Sequence, residues 1–281
     1  MATNPEIGQY VTTGAVRTNY HDLGATTAAI ASPLLLLHGS GPGVSAYANW
    51  RLVMPALAEH TRVLAFDFAG FGYSEAPDDT EFSPAAWLDQ LVAFLDAVGV
   101  EKVSVVGNSF GGSMALALAI HHPERVDKLI LMGAAGVQFE LTAGLDAVWG
   151  YEPSPEAMGR LMRETFAYDA SLITDDMVQG RYTASLRTQD AFARMFPAPR
   201  QRWVDSMAHS ATELRGITAP TLLVHGRDDQ VVPLQTSQTM LHLIDDAQLH
   251  VFGRCGHWTQ IEYAQPFVRI VVDFLGHDSK A

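Results

Sequence analysis

The chain has 281 residues, 48% hydrophobic and 17% charged, the balance of a globular protein with a sizeable core. Its 31 acidic and 18 basic residues leave a net charge of −13. That charge makes nucleic acid and anionic membrane poor partners, and an anionic ligand would need a local cation. Cys255 is the only cysteine, which excludes an intrachain disulfide and fits a cytoplasmic location. Residues 1–14 lack the basic start and apolar centre of a signal peptide, and no apolar run approaches membrane-spanning length.

In chain order, residues 10–13 and 15–20 flank Gly14 and predict a short antiparallel pair. Residues 34–37 form an apolar strand that ends in His38-Gly39-Ser40-Gly41-Pro42-Gly43. Residues 62–66 are another strand, and 67–74 read as a structural turn. Trp87, Leu88, Leu91, Val92, Leu95 and Val98 recur at helical spacing and predict a helix over 85–98. A β-branched strand at 103–106 runs into Gly107-Asn108-Ser109-Phe110-Gly111, followed by a helix over 113–122. Residues 128–132 are the next strand. From about 133 to 219 the pattern is helical, with prolines and no strand, a stretch too long for one crossover. We therefore expect a helical cap at 134–219, inserted into a core domain made of 1–133 and 220–281. The rhythm resumes with a strand at 221–225, a helix at 234–244, a strand at 248–252 and a helix at 263–275. Repeated strand–helix units with buried strands predict an α/β fold, a mostly parallel sheet with helices on both faces.

The most informative stretch is strand, G-x-S-x-G, helix. In that context Ser109 sits on a sharp turn with its Oγ exposed, and the flanking glycines let strand and helix approach closely. The Phe110 N–H would face a developing oxyanion, and an N–H near Ser40 would complete the hole. A serine needs a base, and the base needs an orienting group. Downstream, Gly226-Arg227-Asp228-Asp229 follows one strand and Cys255-Gly256-His257-Trp258 follows another. Loops after strand ends are where such sheets place their sites. His257 is then the base, with Asp229 as its orienter. Spacing alone does not choose between Asp229 and Asp228. His38 and His225 each end a strand before a glycine and read as structural. His121 and His122 suit a helix C-terminus. No cluster has metal-ligand spacing, so no metal is expected. Cys255 reads as a buried packing thiol.

These motifs resemble the meta-cleavage product hydrolases, a carbon–carbon bond-cleaving branch of the α/β-hydrolase superfamily. The resemblance covers nearly the whole chain. It rests on segments 38–50, 107–112, 132–136, 226–233 and 250–260, and on 147–151 and 195–203 in the cap, which look most like 2-hydroxymuconate semialdehyde hydrolases. It implies the α/β-hydrolase fold with an inserted cap, Ser109, Asp229 and His257 as a triad, and Ser40 and Phe110 at the oxyanion hole. Arg181, Asn49, Asn108 and Trp258 match contacts to the dienoate end of the substrate. The implied reaction is hydrolysis of the C5–C6 bond of a 2-hydroxy-6-oxohexa-2,4-dienoate, a small anion, without a cofactor, by a homo-oligomer. A carboxylesterase of the same fold would share the triad but have no use for Arg181 or Asn108, and a non-catalytic binding protein would be expected to lack a triad member.

Overall fold

The computed structural model describes residues 4–24 and 30–276, and eight of their segments form one sheet. The strands are β1 (Gln9–Thr13), β2 (Val16–Leu23), β3 (Leu34–Leu37), β4 (Val63–Phe66), β5 (Val103–Asn108), β6 (Val126–Met132), β7 (Thr221–Gly226) and β8 (Ala247–Phe252). Their spatial order is β1-β2-β4-β3-β5-β6-β7-β8. β1 and β2 form an antiparallel hairpin, and β2 runs antiparallel to β4. Every pairing from β4 across to β8 is parallel. Residues 1–3, part of the segment read for a signal peptide, and 277–281, the end of the core segment, lie outside the described residues, as do 25–29. Among the described residues no helix is long and apolar enough to cross a membrane.

Helices α1 (Ala46–Trp50), α2 (Met54–Ala58), α3 (Pro84–Ala97) and α4 (Phe110–His121) lie in the first half of the chain. Between β6 and β7 come α5 (Ala143–Trp149), α6 (Pro155–Arg160), α7 (Asp175–Arg187), α8 (Gln189–Met195), α9 (Gln201–Ser206) and α10 (Ala211–Arg215), with no strand among them. α11 (Gln235–Leu243), α12 (Thr259–Glu262) and α13 (Ala264–Gly276) complete the order.

The four leucines of β3 show why the central strands β3 and β4 are apolar throughout. Successive side chains point to opposite faces. Leu35 and Leu37 join one buried cluster, with Phe66, Val105 and Leu131, beneath Trp87 and Phe94 of α3 and Met114 of α4. Leu34 and Leu36 join the other, with Val106, Ile130 and Val224, beneath Trp50 of α1, Met54 of α2 and Phe267 of α13. A sheet covered on both faces has no polar side to alternate with. The first cluster also continues into Trp149, Phe166 and Phe196, so the 134–219 segment packs on the same apolar body.

Three local expectations shift. The strand expected at 15–20 continues to Leu23, because Tyr20 to Leu23 pair with β4, a partner that no local pattern reveals. The elbow helix starts at Phe110 rather than 113, since close packing overrides the poor helix propensity of Gly111 and Gly112. The helix expected over 263–275 runs from Ala264 to Gly276, and a separate short helix precedes it, the two parted at Tyr263 because Pro266 has no N–H to return to the carbonyl of Glu262. α1 and α2 are too short for a periodic signal.

Asp67, just past β4, anchors the 67–74 turn. Its buried carboxylate accepts from Ala46 N (2.6 Å), Tyr73 N (2.7 Å) and Asn19 Nδ2 (2.8 Å). Burial pushes its pKa up to about 6 against those three bonds. His38 ties the neighbouring loop to the same turn. Its Nδ1–H donates to the carbonyl of Gly39 (2.7 Å), and its Nε2 accepts from Phe68 N (3.0 Å). Burial lowers its pKa to about 4, so the ring is neutral. Asp67→Asn would turn an amide donor toward donors. We expect it to lower stability by about 1–3 kcal/mol in urea denaturation, the cost of leaving buried polar groups unpaired. An unchanged midpoint would mean that the turn does not depend on this carboxylate.

Candidate active site

Ser109 follows β5 directly and has φ 54° and ψ −116°, a conformation unusual for any residue with a Cβ. The surroundings hold it there. Ser109 N donates to Met132 O (3.0 Å), and Ser109 O accepts from Gly112 N (2.9 Å) and Ala135 N (3.1 Å). A Cβ on Gly107 would lie 2.4 Å from Gly111 O, and one on Gly111 would lie 2.4 Å from Leu37 O. Gly107 therefore lets β5 approach α4, and Gly111 lets α4 approach the end of β3. Phe110 opens α4, so its N–H has no partner within the helix.

His257 lies beyond β8 and Asp229 beyond β7. His257 Nδ1 is 2.7 Å from Asp229 Oδ2, and both side chains are nearly inaccessible. The other oxygen of Asp229 accepts from Val231 N (2.8 Å) and Val232 N (3.0 Å). Burial alone would raise the pKa of this carboxyl. The adjacent His257 and His225 outweigh it and hold the group well below the usual carboxylate range. Of the two adjacent acids, Asp229 is the one that meets His257. Asp228 turns away to Arg227 (3.3 Å) and is partly exposed. Gly133, at φ 49°, ends β6 beside the pair, and a Cβ there would lie 3.2 Å from Asp229 Oδ2.

One cavity of about 20 Å³ is lined by Ser40, Asn49, Asn108, Ser109, Arg181, His257 and Trp258, seven of the nine residues singled out in the sequence. The other two, Asp229 and Phe110, do not line it. Among the described residues no hydrogen bond joins Ser109 Oγ to His257, and both line this cavity. A larger pocket of about 290 Å³ adjoins it and shares Asn49, Arg181 and Trp258.

Arg181 comes from α7. Its Nε–H donates to Pro42 O (2.7 Å), and its guanidinium lies 6.0 Å from the Trp258 ring. Burial lowers its pKa to about 10, which leaves it cationic at neutral pH. Asn49 Nδ2 is buried without a hydrogen-bond partner, a rare state for an amide. Asn108 Nδ2 donates to Met132 O (3.3 Å). Ser40 Oγ accepts from the Trp149 indole N–H (3.0 Å), so α5 reaches down to the loop after β3.

Two contributors were not legible in the sequence. Phe166, at the end of a wide π-helical turn (Leu161–Phe166), stacks on Trp258 (4.6 Å, 16°), and its carbonyl accepts from His257 N (2.7 Å). Glu262 accepts from Gly256 N (2.7 Å) beside His257, and from Tyr168 N (2.8 Å) and Asp169 N (3.0 Å). Both are tertiary joins between the 134–219 segment and the loop after β8, and neither has a motif. Cys255 is buried, with its thiol pushed up to about 12 by burial and by Glu262.

Comparison with known proteins accords with this arrangement. The α/β-hydrolase fold family matches residues 32–264. A 2-hydroxymuconate semialdehyde hydrolase of Pseudomonas sp. strain CF600 is 54% identical over 280 residues, 99% of this chain and 97% of that protein. A 2-hydroxy-6-oxo-2,4-heptadienoate hydrolase of Pseudomonas putida strain F1 is also 54% identical, over 97% of each chain. A structure of the meta-cleavage product hydrolase CumD from Pseudomonas fluorescens IP01, a mutant complexed with acetates, superposes with TM-score 0.93 at 51% identity, covering 96% of this chain and 98% of that one. The chain is a hydrolase of the α/β-hydrolase fold family and belongs, within it, to the meta-cleavage product hydrolases.

Proposed function

We propose that this enzyme hydrolyses the C5–C6 bond of 2-hydroxymuconate semialdehyde or a 6-alkyl analogue, with Ser109, His257 and Asp229 as its triad. The observation that carries the reading is one cavity that joins a serine and a histidine to a cation and an unpaired amide. A plain ester requires only the first two. A dienoate presents a carboxylate and a 2-oxygen at one end and a carbonyl at the other. Arg181 is the local cation that an anionic substrate needs on a chain of net charge −13. With Asn49, Asn108 and Trp258 it would hold the carboxylate end.

The chemistry follows from what the cleaved bond requires. A C–C bond breaks heterolytically only when one carbon can leave with the electron pair. The dienol first loses its 2-hydroxyl proton and gains a proton at C5, with His257 as the carrier. Ser109 then adds to C6, giving its proton to His257, whose imidazolium Asp229 stabilises. The N–H groups of Phe110 and near Ser40 would receive the oxyanion. Collapse breaks C5–C6, the electron pair passes through the conjugated system to the 2-oxygen, and the His257 imidazolium gives up its proton to that oxygen, yielding 2-hydroxypenta-2,4-dienoate and the neutral base needed for the water step. Water then releases the acyl group as a carboxylic acid, formate from the semialdehyde.

In this reading residues 134–219 serve as a cap over the core segments 1–133 and 220–281. A cavity of about 20 Å³ takes roughly one water-sized sphere, so the cap or its side chains must yield for a six-carbon chain to reach Ser109. The resemblance adds that the enzyme is a homo-oligomer working without a cofactor, and its single cysteine fits the cytoplasm.

The primary test compares a yellow dienoate with p-nitrophenyl acetate. The dienoate should give much the higher kcat/KM, and the reverse order would make the protein an esterase. Among dienoates, the semialdehyde and the 6-methyl ketone should surpass the 6-phenyl ketone, because a tight acyl pocket admits a ring only with strain. A phenyl preference would overturn the substrate and leave the reaction.

Two substitutions test the roles. Asp229→Asn should reduce kcat by several powers of ten, on the order of 10⁴-fold as when an orienting Asp becomes Asn in a serine protease, while Asp228→Asn changes little. Equal losses would reassign the acid. Arg181→Gln should lower kcat/KM for the dienoate by about 10- to 100-fold, the worth of a charge-assisted hydrogen bond, and barely affect a neutral ester. Parallel losses on both substrates would mark Arg181 as structural.

A further inference from the structure

His225 is the penultimate residue of β7, and no part of it reaches solvent. Its Nε2 is 3.0 Å from the carbonyl oxygen of Val232, and its Nδ1 is 2.7 Å from Ser237 Oγ on α11. A carbonyl can only accept, so Nε2 carries the hydrogen. The bare Nδ1 then accepts the hydroxyl proton of Ser237. The tautomer of this buried ring is thus fixed from both sides.

The same Nε2 lies 3.4 Å from Asp229 Oδ2, the oxygen that receives His257 Nδ1–H at 2.7 Å. Asp229 is therefore flanked by two imidazoles on one oxygen and by two backbone N–H groups on the other. Val232 serves both partners. Its N–H holds Asp229 Oδ1, and its carbonyl holds His225. Without His225, the Val232 carbonyl would lose its bond to β7, and Oδ2 would lose the ring packed 3.4 Å from it. The carboxylate could then turn about its backbone anchors and carry His257 with it. A base displaced by a fraction of an ångström loses much of its rate advantage.

We propose that His225 is a positioning residue that holds Asp229, and through it His257, in the orientation catalysis requires. This rests on the triad reading above. It assigns a function to a histidine whose place before a glycine suggested structure alone.

The test is a set of variants assayed on the dienoate, with folding checked by circular dichroism. Gln can place an amide N–H near the position of Nε2, whereas Asn is too short and Phe has no donor. His225→Phe and His225→Asn should lower kcat by about 10- to 100-fold with KM nearly unchanged, the effect of misaligning a catalytic group. His225→Gln should recover most of that loss. Equal impairment of all three, or wild-type kcat in His225→Phe, would overturn the proposal.

A measurement on the unaltered enzyme does not depend on any variant folding. Nitrogen-15 NMR of its histidines should show His225 protonated at Nε2 and unprotonated at Nδ1, and the opposite tautomer would overturn the proposal. Asp229→Asn run in parallel separates the two readings. If Asp229→Asn is inactive while His225→Phe is normal, the positioning role alone falls. If Asp229→Asn is active, the triad reading falls and this proposal falls with it.

Discussion

The close approach of β5 to α4 is the constraint on which the rest of the site depends. A turn that brings Gly107 and Gly111 together leaves Ser109 at positive φ, a conformation that costs on the order of 1–3 kcal/mol and persists only where its surroundings over-determine it. Bonds from β6, from the loop after it and from the first turn of α4 supply that determination. They fix the serine at the carboxyl edge of the sheet and leave the Phe110 N–H free of helical bonding. The neighbouring parallel strands place the other loops at the same edge. β3 delivers Ser40, β7 delivers Asp229, and β8 delivers His257. Parallel pairing is what makes those ends converge, and burial on both faces is what makes β3 and β4 wholly apolar.

The arrangement is also electrostatically economical. The protein is strongly acidic, yet its site contains one partly buried guanidinium and an amide with no internal partner. The Asp229 carboxylate is surrounded by the donors of Val231, Val232 and His257, which keeps it ionised despite burial. Residues 134–219 are joined to the rest of the fold at the point where the chemistry would occur. The Phe166 carbonyl holds His257 N, Glu262 bridges the loop after β8 to residues 168 and 169, and Trp149 donates to Ser40. A shift of residues 134–219 would therefore be felt by the histidine loop and by the loop after β3 together.

Much of this was legible in the sequence, for definable reasons. Leu34 to Leu37 could only be a strand buried on both faces. Ser109 was marked by local chemistry, since strand, G-x-S-x-G and helix occur in consecutive residues. Asp229 and His257 each follow a strand at a glycine-bearing loop. Other features depended on tertiary structure. The choice between Asp228 and Asp229 is a matter of which carboxylate faces the histidine, and spacing carries no such information. Arg181 sits on a helix that reads as solvated, and only resemblance singled it out. Phe166 and Glu262 act through backbone contacts across the fold. His225 looked like a strand-end residue until Val232, Ser237 and Asp229 were seen around its ring.

The most direct measurement is a single-turnover, rapid-mixing experiment with the dienoate on wild-type enzyme and on Ser109→Ala. In the wild type, loss of the dienoate absorbance should be matched mole for mole by 2-hydroxypenta-2,4-dienoate and the carboxylic acid. In Ser109→Ala, with the fold intact and His257 in place, the absorbance should still change as the keto form appears, and no cleavage products should follow. Product release by Ser109→Ala at a rate near that of the wild type would contradict the account at its centre.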